Sequence, residues 1–258
     1  MKQDEKNLLL NWYYEMGVDE SITNATNNLR ESRIEKYIAP QNKIERVVKL
    51  SSHNNPSALV ESARVLADGA KDLNHLRQVV EQFEGISIKK TATNTVFADG
   101  NPSAPVMIVG EAPGANEDQE GIPFCGQSGQ LMDKMFSFVG LNRQKNLYIT
   151  NSLFWRPPGN RKPTPEENAI CLPFVEKHIA LIQPKLLLLV GATAAQTLLN
   201  SEEAITLMRS KKYSYINKYL QQEIEVMVMY HPSYLLRQPS QKKFAWNDIL
   251  KIKKKLAL

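Results

Sequence analysis

The sequence predicts an α/β fold: a four-stranded parallel sheet covered by helices on both faces, preceded by a helical extension. Three observations predict it. From Pro105 onward, short apolar runs alternate with segments whose apolar residues recur at helical spacing, and such alternation implies a parallel sheet with helices on either side. The run 185–190 reads KLLLLV, the unbroken apolar character of a strand buried on both faces. The first ~100 residues show helical spacing and polar stretches but no strand-like run.

Taken in order, residues 8–14 form a short apolar stretch. Residues 19–56 are polar and rich in Asn and Ser, which reads as a linker with a short helix near 33–38. Residues 72–83 place Leu73, Leu76, Val79, Val80 and Phe83 on one helical face, with Asp72 as N-cap and Gly85 as terminator. The first strand is expected at 105–109, ending at Gly110. Ser128 is the expected cap of a helix bearing Leu131, Met132, Met135, Phe136 and Val139, with Gly140 at its end. The second strand is expected at 147–150. Thr164, Pro165 and Glu166 start a helix, which Pro173 should kink because it lacks the amide donor. The third strand, 185–190, passes through Gly191 into a helix around 193–199. The fourth strand is expected at 225–230. A last helix starts at Ser240, with Ala245, Ile249, Ile252 and Leu256 on one face.

A chain of 258 residues holds one or two domains. With 42% hydrophobic and 23% charged residues, disorder throughout is excluded. No run approaches the roughly 18 apolar residues of a membrane helix. The N-terminus makes a poor signal peptide, having acidic residues early and no small-residue cleavage site. A cytoplasmic, nucleoid-associated protein that is not bound to membranes is expected. Cys125 and Cys171 are too few for a disulfide framework, a Cys-only zinc site or a four-cysteine cluster, and the four histidines show no metal-ligand spacing. The net charge of +5 is uneven. Residues 209–258 carry 11 Lys and Arg against 3 Asp and Glu, whereas the rest carries 21 against 24. Such asymmetry points to a polyanionic partner.

In an open parallel sheet, ligands bind beyond the carboxyl ends of the strands. There the sequence places Gly110-Glu111-Ala112-Pro113-Gly114, then Asn151, then Gly191, then His231-Pro232-Ser233. A carboxylate, an amide and an imidazole thus converge on one edge. Glu111, Glu117 and Asp118 flank a Gly/Pro loop whose amides a ligand can approach closely, although an isolated acidic turn is an equally good reading. Phe124, between Pro123 and Gly126, is a stacking platform or a core residue. Asn151 can offer a donor and an acceptor to one edge of a base, or simply cap a turn. Arg156, Arg161 and Arg237 suit phosphate contacts or are plain surface charge. The C-terminal lysines, Lys242 and Lys243 among them, favour a polymer substrate, and also suit a helix C-terminus in any protein.

Three segments carry a more specific signal: GEAPGANEDQEGIPFCGQSGQLMD, YITNSLFWRPPGNRKPTPEE and YHPSYLLR. Together, over residues 91–237, they resemble family 4 of the uracil-DNA glycosylase superfamily. The resemblance implies a three-layer α/β/α sandwich around a four-stranded parallel sheet, and hydrolysis of the N-glycosidic bond of uracil in DNA. It implies that Gly110, Glu111 and Ala112 line the uracil pocket, that Phe124 stacks on the extruded base, that Asn151 reads its polar edge and that His231 faces uracil O2. Glu117 is the first candidate for the catalytic carboxylate and Glu111 the second. Residues 1–85 resemble the N-terminal extension of some bacterial members, and residues 86–258 form the glycosylase domain. The expected form is a monomer acting on uracil-containing DNA.

The chain departs from that family in one respect. Most members hold an iron–sulfur cluster on four cysteines, and three of those positions are Phe83, Ile86 and Trp155 here. Only Cys171 remains, so no cofactor and no metal ligand are expected. The stretch RPPGNRKPTP also lacks the histidine of a related subclass that cross-links to DNA. Two other functions stay open: a DNA-binding relative of weak activity, and a glycosidase acting on free nucleosides.

Overall fold

The computed structural model describes residues 3–15 and 56–256. The expected linker, with its short helix near 33–38, lies outside the described residues. Helix α1 (Gln3–Glu15) is followed by α2 (Pro56–Gly69), α3 (Leu73–Gln82) and a 3₁₀ turn (Ser87–Thr91). Then come β1 (Asp99–Gly100), β2 (Val106–Gly110), α4 (Ala115–Glu120), α5 (Gln127–Ser137), β3 (Leu147–Asn151), α6 (Pro165–Ile182) and β4 (Leu186–Val190). The chain finishes with α7 (Ala192–Leu199), α8 (Ile205–Met208), β5 (Tyr213–Tyr215), β6 (Ile224–Met229), α9 (Pro232–Arg237) and α10 (Lys242–Leu256).

The sheet has six strands, not four, in the order β1-β3-β2-β4-β6-β5. Its central four, β3-β2-β4-β6, are parallel and are the four apolar runs seen in the sequence. The two additions are antiparallel edge strands of two and three residues. Alternate strand residues face opposite layers. Met107, Val109, Leu187, Leu189, Val226 and Val228 pack towards α2, α3, α6 and α7. Val106, Ile108, Leu147, Ile149, Leu186 and Leu188 pack towards α1, α5, α9 and α10. Trp12 of α1 is fully buried, 5.2 Å from the ring of Trp246.

Several element ends differ from the sequence expectation, each for a local reason. Asp72 does cap α3, accepting from the amide of His75, but the helix ends at Gln82 because Phe83 turns to extended backbone and buries its ring. Helix α5 starts two residues early, with Gly126 rather than Ser128 at the cap. Thr164 and Glu167 form a reciprocal capping box at the start of α6. That helix runs on through Pro173. The carbonyl left without its partner belongs to exposed Ala169, where water can satisfy it. Helix α10 starts at Lys242, after a 3₁₀ turn (Pro239–Gln241) that takes up Ser240.

Candidate active site

A cleft of about 1090 Å³ opens at the carboxyl ends of the parallel strands, where loops after β2, β3, β4 and β6 meet. It is lined by Glu111, Ala112, Glu117, Phe124, Asn151 and His231. Gly110 closes β2 beneath it. A Cβ there would lie 2.4 Å from Asn151 Oδ1 and 2.5 Å from the tip of the Phe124 ring, so only glycine lets those two side chains close over the strand end.

Asn151 ends β3 and is 2% exposed. Its side-chain amide has no hydrogen-bond partner among the described residues, so donor and acceptor are both available to a ligand in the cleft. The Phe124 ring lies 5.5 Å from that of His231, at 30°.

His231 caps α9, and its Nδ1 accepts from the amide of Ser233 at 3.2 Å, with Ser233 Oγ 2.8 Å away. A backbone N–H can only donate, so Nδ1 carries the lone pair and the neutral ring carries its proton on Nε2. Burial pushes the histidine pKa down, and the charge of Arg237 adds to this against the opposing pull of Glu111 and Glu117. The ring therefore stays neutral and offers one N–H.

The two carboxylates are held differently. Glu117 accepts from the amides of Gly114 (3.1 Å) and Gly126 (2.9 Å), one on each oxygen, and so ties the loop after β2 to the turn bearing Phe124. Glu111 accepts from Thr193 Oγ1 at 2.5 Å through one oxygen, while its carbonyl accepts from Ser152 Oγ.

The predicted DNA contacts do not all gather here. Arg161 and Arg237 line the cleft, but the Arg161 fork is engaged by Glu167 at 2.6 and 2.8 Å. Arg156 does not line it: its Nε donates to Asn160, and Asp118 lies 3.9 Å from its guanidinium. Lys242 is 5% exposed, and Lys243 is exposed with its ammonium 5.1 Å from the Phe244 ring centre; neither borders the cleft. The last turn of α10 lies at the other end of the sheet. Lys255 pairs with Glu225 at the start of β6, and Lys255 and Leu256 border a small hollow with Pro105 and Leu186, where β2 and β4 begin. The basic tail is therefore not an extension of the cleft.

Sequence reasoning missed Lys162 and Thr193 on the cleft wall, and Leu236, which is 41% exposed at its rim. It placed Ser233 at this edge without a role; the structure pairs it with His231 Nδ1.

A profile of the uracil DNA glycosylase superfamily matches residues 97–250. The chain belongs to the uracil DNA glycosylase superfamily. It is 38% identical over 186 residues to a type-4 uracil-DNA glycosylase of Sulfurisphaera tokodaii, covering 70% of this chain and 83% of the relative. It is 38% identical over 167 residues to a type-4 enzyme of Archaeoglobus fulgidus (64% and 83%), and 36% identical over 164 residues to one of Thermotoga maritima (62% and 82%).

The cluster that the family resemblance implies does not fit the residues present. Phe83, Ile86, Trp155 and Cys171 are all at most 4% exposed and belong to one apolar cluster. Phe83 packs edge-on against Phe174 at 5.2 Å, and the Trp155 indole N–H donates to Thr95 Oγ1 at 2.9 Å. Burial pushes the Cys171 thiol up, away from the thiolate that ligates iron. Among the described residues no group of three or more His, Cys, Asp or Glu could hold a metal ion.

Proposed function

We propose that this protein removes uracil from DNA by hydrolysing its N-glycosidic bond, leaving an abasic site, and that it does so without a cofactor. The observation that carries the mechanism is the meeting, in one cleft, of an unpartnered Asn151 amide, the Phe124 ring and the Nε2–H of a neutral His231. A base within a duplex is out of reach, so the nucleotide must be flipped out. Phe124 takes the base on its face, replacing lost stacking by roughly 1–3 kcal/mol. Asn151 accepts from uracil N3–H and donates to O4, the reverse of what cytosine presents. Gly110, Glu111 and Ala112 form the floor and near wall.

As the C1′–N1 bond breaks, its electron pair leaves with uracil and the sugar becomes cationic. His231 donates from Nε2 to O2, where negative charge grows. Water adds to C1′ and gives up a proton to solvent or to the departing base. Glu117 orients that water and offsets the sugar's charge through the lone pairs left by its two amide bonds, with Glu111 as the second carboxylate. Arg237 and Arg161 face the DNA backbone at the rim. Lys243 and Arg156 serve only flanking DNA, and Lys242 would have to leave its buried position to do so.

The protein works as a monomer in the cytoplasm, at the nucleoid. Among the described residues no helix is long and apolar enough to cross a membrane. Residues 86–258 carry the glycosylase chemistry, and α2 and α3 of the extension contribute to the core shared with α6. Release of free uracil from an oligonucleotide containing deoxyuridine tests the proposal.

A further inference from the structure

Phe124 has the backbone of a residue held against its preference. Its φ is +53°, a left-handed conformation that a bulky aromatic rarely adopts. Its carbonyl and the one before it are gripped by one side chain from the loop between α5 and β3. Arg143, 13% exposed, donates from Nη1 to the carbonyl of Pro123 at 2.8 Å and from Nη2 to the carbonyl of Phe124 at 2.5 Å. The guanidinium is itself fixed by two carboxylates. Nη1 also reaches Asp99 at 2.9 Å, and Nε reaches Asp133 at 3.0 Å. Asp99 lies in β1, in register with Ile149 of β3, two residues before Asn151. Asp133 lies in α5. The same turn is closed from below by Gly129, where a Cβ would stand 1.6 Å from the Phe124 carbonyl oxygen.

We propose that Arg143 is a positioning residue for uracil excision: its fork, fixed by Asp99 and Asp133, holds the Phe124 turn in the geometry in which the ring meets the flipped base. The proposal rests on Phe124 being that platform. It ties the platform to the edge of the sheet whose strand β3 presents Asn151, so that stacking face and hydrogen-bonding edge share one frame. Lysine cannot replace arginine here, because one ammonium cannot span two adjacent carbonyls and two carboxylates in a plane.

The test is a double-mutant cycle in single-turnover excision from a uracil-containing oligonucleotide, with thermal unfolding followed for each variant. Arg143→Lys is expected to slow excision at least about fivefold, the lower end for a lost base–aromatic stack. In the Phe124→Ala background the same substitution is expected to change nothing further, since the ring it positions is gone. Gly129→Ala, which displaces the same carbonyl from the other side, is expected to behave alike and carries the test if Arg143→Lys does not fold. Excision at the parent rate by a folded Arg143→Lys, or an equal loss with and without the Phe124 ring, overturns the proposal while leaving the platform intact. Parent-rate excision by Phe124→Ala overturns the platform itself.

Discussion

The role proposed for His231 separates binding from chemistry, and its cap and its donor can be removed one at a time. The side chain has two parts: Nδ1 caps α9 through the Ser233 amide, and the other ring nitrogen, Nε2–H, belongs to a side chain that lines the cleft. His231→Ala removes both. Loss of the cap costs ~0.5–2 kcal/mol of stability. Loss of the donor removes a hydrogen bond that is modest to a neutral carbonyl, net ~0.5–1.5 kcal/mol, but strong to a developing anion in a water-poor site, ~2.7–4 kcal/mol. His231→Asn restores a good cap on a side chain too short to reach the base. Both variants are therefore expected to excise uracil ~10²–10³ times more slowly in single turnover, while binding uracil-containing DNA within about tenfold of the parent. The Asn variant is expected to recover most of the stability lost in the Ala variant. Excision rates at saturating enzyme, DNA affinity and thermal unfolding decide it. If His231→Asn cleaves at the parent rate, or if affinity falls as far as rate, His231 does not act on the leaving group.

Three further outcomes follow from the geometry. The purified protein is expected to contain no stoichiometric iron, because Phe83, Ile86 and Trp155, which the resemblance sets at the cluster positions, form an apolar plug with Cys171; about four iron atoms per chain would contradict this. Replacing Lys253 and Lys254 with alanine is expected to leave the salt dependence of DNA binding unchanged, because that end of α10 lies at the amino ends of the strands, whereas Arg237→Ala is expected to flatten the log–log slope by about 0.9. His178 is buried, paired with Tyr148 Oη at 2.8 Å, and its pKa is pushed down to about 3 by burial, with the charge of Arg77 adding. The unfolded chain binds that proton first as pH falls below its usual value near 6.5. The folded state therefore loses roughly 1.4 kcal/mol per pH unit between there and about 3. Urea unfolding of His178→Gln is expected to show a shallower acid slope than the parent, and identical slopes would refute the assignment.

The parallel core was legible because its strands are dominated by apolar residues, as burial on both faces demands, with only Glu225 of β6 exposed. The edge strands were not, since Asp99–Gly100 and Tyr213–Tyr215 are too short and mixed to show a period. The order of residues at the carboxyl ends was enough to bring Glu111, Asn151 and His231 together. What stayed hidden was carried by the backbone: the two carbonyls gripped by Arg143, the amides bound by Glu117 and the amide that sets the His231 tautomer leave no side-chain pattern. The place of the basic tail was hidden too. Lysines gathered in sequence do not say where a helix sets them, and α10 carries Lys255 to the end of the sheet away from the cleft.

The central claim is that one cleft recognises a flipped uracil and breaks its bond to DNA. The most direct measurement is product analysis on matched oligonucleotides containing uracil, cytosine or thymine, alongside free deoxyuridine, for the parent and for Asn151→Ala. Free uracil and an abasic strand from the first substrate alone, with the preference for uracil over cytosine collapsing in the variant, is the predicted result. No release from the uracil oligonucleotide, or faster release from the free nucleoside, would contradict it.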